Sequence, residues 1–264
     1  MSGVSEYLIK LLGYDQYAFS WEELKASTSK TEAALQNELA RLVKKREIIS
    51  LRAGFYLILA PRYRSYGKLP VELYVDKLFK YLEKPYYIAF YSAAAFHGAG
   101  HQQVQKDYLI TGLPNIRDIK KGPTYLNTFA TSTWPVKNID KKKSDAGYFN
   151  ISSPALTATD LIHYQSKLGG LNRIVTIIEE LAEEIRLDDI KALLTWYPHV
   201  STIQRLGYLL SKVSSEHTAI KPLLLYIKKH RHFPVLLRPE KNKNAGSTRN
   251  PWKVDINIDL QSDL

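Results

Sequence analysis

Between Ser20 and Ile58 the chain uses one device twice and then changes its period. In "SWEELKA", Ser20 is followed three residues on by Glu23. That is the reciprocal pattern in which the serine caps a first turn and the glutamate reaches back to its amide. Ser29 and Glu32 repeat the spacing almost at once. Two capped helices separated by Ser27-Thr28-Ser29 must turn against each other, the spacing of a helix-turn-helix. The second helix is expected over about Lys30 to Lys45, with Leu35, Leu39 and Leu42 on one stripe. At 100° per residue, Lys30, Ala33, Asn37, Arg41 and Lys44 fall on the opposite stripe. "IISLRAGFYLI" then reads as two short strands turning at Arg52-Ala53-Gly54, where Gly54 is free to take a positive φ. With a short helix over Ser5 to Leu12 in front, the expectation is a winged helix-turn-helix from about Val4 to Leu59.

The outer stripe of the second helix carries no acid. It is small near its start and basic near its end, as a helix entering the major groove requires. Gln36 and Asn37 present amides that match adenine edges, and Lys30 has the reach for guanine or phosphate. Arg41, Lys44, Lys45 and Arg46 suit the phosphate backbone, as does Arg52 at the tip of the wing. Ser27, Ser29 and Thr31 at the turn complete the candidate DNA contacts, with Arg62 and Arg64 just beyond the wing. The last two either follow the backbone or belong to a solvated connector. Capped helix pairs with a hairpin also serve as protein-interaction modules.

A polyanionic partner suits the whole chain, whose net charge is +11 with a pI of about 9.5. The 264 residues contain no cysteine, which removes disulfides, thiol catalysis and cysteine zinc sites. The first residues lack the basic and apolar regions of a signal peptide, and no apolar run approaches the roughly 18 residues of a membrane span. A cytoplasmic protein with no membrane partner is expected.

"APRYRSYGKLP" is rich in Pro, Gly and basic residues and reads as a linker over about 60–69. It divides a winged-helix domain, 1–66, from a larger α+β domain, 67–264. The larger part opens with a helix from Pro70 to about Lys84, carrying Val71, Tyr74, Val75, Leu78 and Leu82 at helical spacing. In "YYIAFYSAAAFHGAG" the small residues allow close packing of a short helix. His97 and His101 are four apart, but Gly98 and Gly100 interrupt the turn and no acid or third histidine stands nearby, so no metal is expected. "DYLITG", "TYLNTFAT", "VKNIDKKK" and "GYFNIS" suggest a small antiparallel sheet with Lys141-Lys142-Lys143 at a hairpin tip. A helical block follows. Ser153 caps it and Pro154 takes the first helical position. Leu171, Ile174, Val175, Ile178, Leu181 and Ile185 mark an amphipathic helix with Glu179, Glu180, Glu183 and Glu184 outside. Further helices are expected near 187–196, 200–214 and 216–230, then a closing strand that points Val254, Ile256 and Ile258 inward.

No phosphate-cradling glycine loop, nucleophile elbow or complete calcium loop is present. With no catalytic constellation and no cofactor motif, the chain is not expected to be an enzyme. The segment from Lys228 to Lys253 holds Lys228, Lys229, Arg231, Arg238, Lys241, Lys243 and Arg249 against the single acid Glu240. It is either a second phosphate-contacting surface or a solubilising loop.

Three stretches in order carry a family resemblance: "GFYLILAP" (Gly54 to Pro61), "YYIAFYSAAAFHG" (Tyr86 to Gly98) and "GYFNISSPALTATDLI" (Gly147 to Ile162). Together they resemble the antitoxins of the type IV abortive-infection (AbiE) toxin–antitoxin systems. The family usually carries Arg near the position of Ala155 or Leu156, and this chain does not. The resemblance implies a winged helix that represses its own operon by binding upstream DNA repeats. It implies a C-terminal domain that counters a co-encoded nucleotidyltransferase toxin, often without a stable complex, in phage defence. It implies no catalytic residue. The competing expectation is a winged-helix regulator whose larger domain senses a ligand or holds an oligomer.

Overall fold

The structure is a computed structural model that describes residues 3–100, 105–239, 245–246 and 248–258. Two compact units alternate along the chain. The first comprises Met1–Tyr87, Gln105–Ser132 and Lys141–Asn150; the second comprises Ile88–Val104, Thr133–Asp140 and Ile151–Leu264.

The first unit begins with α1 (Val4–Gly13), β1 (Ala18–Ser20), α2 (Trp21–Ser27), α3 (Glu32–Lys44), β2 (Ile48–Arg52) and β3 (Phe55–Ile58). The strands form an antiparallel sheet in the order β1-β3-β2. Val4, Leu8, Leu24, Leu35, Leu39, Leu42 and Ile48 close one core with Phe19, whose ring stacks on Tyr56 and meets the edge of Tyr7. Each such leucine contributes about 1.5–3 kcal/mol by leaving water.

The capping box of α2 forms as expected: Glu23 N–H donates to Ser20 Oγ (3.1 Å) and Ser20 N–H to Glu23 Oε2 (2.7 Å). The second cap differs. Thr31, not Ser29, precedes α3, its Oγ1 accepting from Ala34 N–H (3.4 Å). The backbone is extended at Thr28 (φ −135, ψ 150) and again at Thr31 (φ −67, ψ 151). This lets the Lys30 ammonium fold onto Glu38, which also accepts from Val4 N–H (3.2 Å). A cation folded back onto Glu38, which in turn accepts from the start of α1, lies outside the helix.

The stretch expected as a linker is folded. It holds α4 (Pro61–Arg64) and the fully buried Leu69, and Lys68 pairs with Asp107 at 2.9 Å. The helix expected over 70–84 divides into a 3-10 turn (Val71–Leu73) and α5 (Val75–Tyr81). The break falls at Tyr74 (φ −142, ψ −14), whose ring is buried.

Strands β4 (Tyr86–Ile88), β5 (Asp107–Gly112), β6 (Ile119–Lys121), β7 (Thr124–Thr131), β8 (Ile139–Ser144) and β9 (Gly147–Ser152) form one sheet in the order β6-β7-β5-β4-β9-β8. It is mixed, not antiparallel: β5–β7 and β4–β9 are parallel and β6–β7 antiparallel. The chain reverses at each end of β6, and β7 then inserts between β6 and β5, so β5 and β7 run the same way. Lys141, Lys142 and Lys143 lie within β8, because the turn into β9 is Asp145-Ala146. β8 is an edge strand, and exposed lysines there oppose pairing with another edge.

The second unit contains α6 (Phe90–Phe96), α7 (Pro154–His163), α8 (Leu171–Ala182), α9 (Leu187–Leu193), α10 (Val200–Val213) and α11 (Ile220–Lys229), with a parallel pair β10 (Val235–Leu236) and β11 (Val254–Asp255). α7 starts as expected: Ser153 Oγ accepts from Leu156 N–H (3.3 Å) and Pro154 stands in the first turn. Every residue from Ala155 to Ile162 is buried, which makes α7 the core helix. Gly207 of α10 meets the Trp252 ring, and Gln204 donates to the carbonyls of Phe233 (2.9 Å) and Trp252 (2.8 Å). The closing strand is shorter than expected. Val254 and Ile258 are buried, but Ile256 is 52% exposed once pairing stops at Asp255. His97 bonds the Ser152 carbonyl at 2.7 Å, and His101 lies outside the described residues.

Candidate nucleic-acid interface

The face of α3 is set by its buried stripe. With Leu35, Leu39 and Leu42 inward, Ala33, Gln36, Asn37, Ala40, Arg41 and Lys44 stand exposed, followed by Lys45 and Arg46. This surface reads small, amide, then basic along the helix. The exposed acid in its first turn, Glu32, is held by Lys25 (2.6 Å), whose pKa that bond raises. At the turn, Ser27 Oγ donates to the Glu23 carbonyl (2.8 Å), Ser29 is exposed and Thr31 serves as the cap.

Several expected contacts have other work. Lys30 precedes the helix, and its hydrogen bond is the main cause that lowers the Glu38 pKa. The hairpin tip is docked: Tyr81 donates its hydroxyl to the Ala53 carbonyl (3.0 Å), and Trp21 N–H donates to the Gly54 carbonyl (2.8 Å). Gly54 has φ +72, and a Cβ there would lie 2.6 Å from Tyr81 Oη. The basic reach of the hairpin is therefore Arg52 alone, which is exposed. Arg62 donates to Tyr17 Oη (2.9 Å) and Asp145 Oδ2 (3.1 Å), with its guanidinium 4.8 Å from the Tyr63 ring centroid. Arg64 donates to the Leu59 carbonyl (3.1 Å). Both arginines pin the chain after β3. Arg41, Lys44, Lys45, Arg46 and Arg52 make no ion pair among the described residues.

The basic residues near the C-terminus belong to the second unit. Lys228 and Lys229 end α11 exposed, Arg231 lies 5.1 Å from the Phe233 ring centroid, Arg238 is half-buried and Arg249 is exposed. Lys241 and Lys243 lie outside the described residues. Among the described residues no group of three or more His, Asp or Glu is placed to hold a metal.

Two features escaped the sequence reading. His163 and His199 stack at 4.4 Å, and burial, then the charges of His199, Arg205 and Lys167, push His163 down to about 4. Asp189 accepts from Ala155 N–H (2.8 Å) and from Asn138 Nδ2 (2.5 Å), while Trp196 Nε1 donates to Asn138 Oδ1 (2.8 Å). Partners separated by 34 to 58 residues leave no local pattern. Asp189 thus ties down the first turn of α7, where the sequence lacks the arginine that the AbiE resemblance leads one to expect.

Residues 87–212 match the AbiEi antitoxin C-terminal domain. Over that stretch the chain is AbiEi-like. The match runs from β4 through α10, and supports an antitoxin role in a toxin–antitoxin system. No protein of curated function matches the sequence. Among solved structures, the RV2827C protein from Mycobacterium tuberculosis is similar with a TM-score of 0.63 and 12% identity, over 95% of this chain and 90% of that one. At that identity the likeness is one of fold. It extends well beyond the AbiEi-like domain on both sides. No helix of the described residues is long and apolar enough to cross a membrane.

Proposed function

We propose that this chain is the antitoxin of a type IV toxin–antitoxin system and the repressor of its own operon. Residues 1–66 form a winged helix-turn-helix that binds repeats in the upstream duplex. Residues 67–264 counter a co-encoded nucleotidyltransferase toxin, without a stable complex between the two. The protein acts by binding in the cytoplasm, in phage defence, and performs no catalytic step of its own.

One observation carries the DNA half of this reading: the exposed face of α3. It lies opposite a fully buried leucine stripe, its amides at Gln36 and Asn37 are followed by Arg41, Lys44 and Lys45, and its one nearby acid is paired. Gln and Asn amides match the adenine edge, and the cations that follow fix the helix on the backbone. The AbiEi match supports the antitoxin half. The test of the DNA half is binding of the full chain to its own upstream region by fluorescence anisotropy, with unrelated duplex as competitor. Preference for the upstream duplex, lost in an Asn37→Ala/Arg41→Ala variant that still folds, upholds it. Equal affinity for both duplexes refutes it.

A further inference from the structure

A cleft of about 450 Å³ opens in the first unit, between β1, β3, the 71–74 turn, α5 and the β8–β9 turn. That is the size of a small-molecule site. Its walls are aromatic: Tyr17, Phe55, Tyr74, Tyr81 and Tyr148 all line it. Five charged residues line it as well, and four of them cancel. Lys77 pairs with Glu23 (3.0 Å) and Lys80 with Asp76 (2.7 Å). Glu72 is left over, half-buried and without an ion pair among the described residues. Burial, ahead of the carboxylates of Asp107 and Asp145, pushes its carboxyl up, while its own backbone N–H, and then Lys68, pull it down. Those neighbours are already engaged, Asp107 by Lys68 (2.9 Å) and Asp145 by Arg62 (3.1 Å).

In a chain of net charge +11, this cleft therefore holds one uncompensated carboxylate among π faces. An anion would meet Glu72 and find no free cation. A purely apolar ligand would bury the carboxylate unpaired, at a cost. An organic ammonium satisfies both walls: its charge faces the carboxylate, and its methylenes and N–H edge lie against the rings. We propose that the cleft binds a slim alkylammonium, of the diamine or polyamine class or the chemically equivalent lysine side chain of a partner, with Glu72 as its counter-ion. This site is independent of the DNA-binding reading.

The test is titration calorimetry of the full chain at constant ionic strength with 1,4-diaminobutane, spermidine and N-acetyl-lysine methylamide. Saturable binding is expected to weaken at least about tenfold in Glu72→Gln and several-fold in Tyr148→Ala. Tyr148 is 61% exposed, so its loss leaves the fold intact should the first variant fail to fold. A Glu216→Gln control, on an exposed residue of the second unit, should bind as wild type. Affinity should rise with pH as Glu72 ionises above the ordinary carboxylate range. Binding of the free amines alone assigns the site to a free ligand, and binding of the capped lysine alone to a partner's side chain; either upholds the ammonium site. No saturable binding of any probe, or binding unchanged in both cleft variants, overturns it.

Discussion

The salt dependence of DNA binding can be worked directly from the structure. Reading cations from the sequence alone would count Lys30, Arg62 and Arg64 as phosphate contacts, but each has a partner inside the protein. The cations that remain near α3 and the β2–β3 hairpin are Arg41, Lys44, Lys45, Arg46 and Arg52, all exposed. With five phosphates neutralised, log K should fall against log salt with a slope of roughly −4.5. Between 50 and 200 mM salt that is a loss of about 500-fold in affinity. Lys44→Ala with Lys45→Ala should flatten the slope to roughly −2.7 and weaken all duplexes alike. Asn37→Ala should leave the slope unchanged while costing about 1–3 kcal/mol of preference. The assay is fluorescence anisotropy on the upstream duplex across a salt series. A slope near zero would remove the electrostatic argument. A slope of roughly −7 would show that the three arginine and lysine anchors reach the phosphates after all, and a steeper one would bring in the Lys228–Arg249 cations.

Lys30→Ala should cost up to about 1 kcal/mol in thermal unfolding and leave sequence preference intact, because the half-buried pair with Glu38 joins α3 to α1; a changed preference with unchanged melting would restore it as a base contact. Gly207→Ala places a Cβ 2.0 Å from Trp252 Cζ3 and should destabilise the second unit by about 1–3 kcal/mol, with Trp252→Leu in the same chain recovering part of the loss; calorimetric melting of the single and double variants decides this. The unfolded His163 ring takes up its proton near 6.5 and the folded one only near 4, so its contribution to stability is present above pH 6.5 and drains away as pH falls towards 4. His163→Gln should flatten urea stability over that window, and an unchanged pH profile would contradict the assignment.

What the sequence shows well is whatever depends on neighbours a few residues apart. Ser20 with Glu23, Ser153 with Pro154, and the leucine stripe of α3 each read correctly, because a cap or a helical face is decided within one or two turns. The strands 107–112, 124–131 and 147–152 read correctly from their own pattern. Their pairing did not, because alternation sets which face is buried and not which strand lies alongside. The cap of α3 moved from Ser29 to Thr31 through a contact between Lys30 and Glu38, two turns away, and with Val4 at the far end of the unit. The β2–β3 hairpin looked free because nothing near Ala53 in sequence announces Tyr81. The same distance hid the stacked histidines and the Asp189 network.

The most direct test of the central claim is growth rescue combined with promoter output. Cells would co-express the neighbouring gene product with the full chain, or with Asn37→Ala/Arg41→Ala/Lys44→Ala in the full chain. Full-length variants are needed because the first compact unit runs through residue 87, so a cut at residue 66 would divide it. The account predicts that both proteins restore growth and that only the wild type silences a reporter driven by its own upstream region. A harmless neighbour, or a toxic one that the wild-type chain fails to counter, would contradict it.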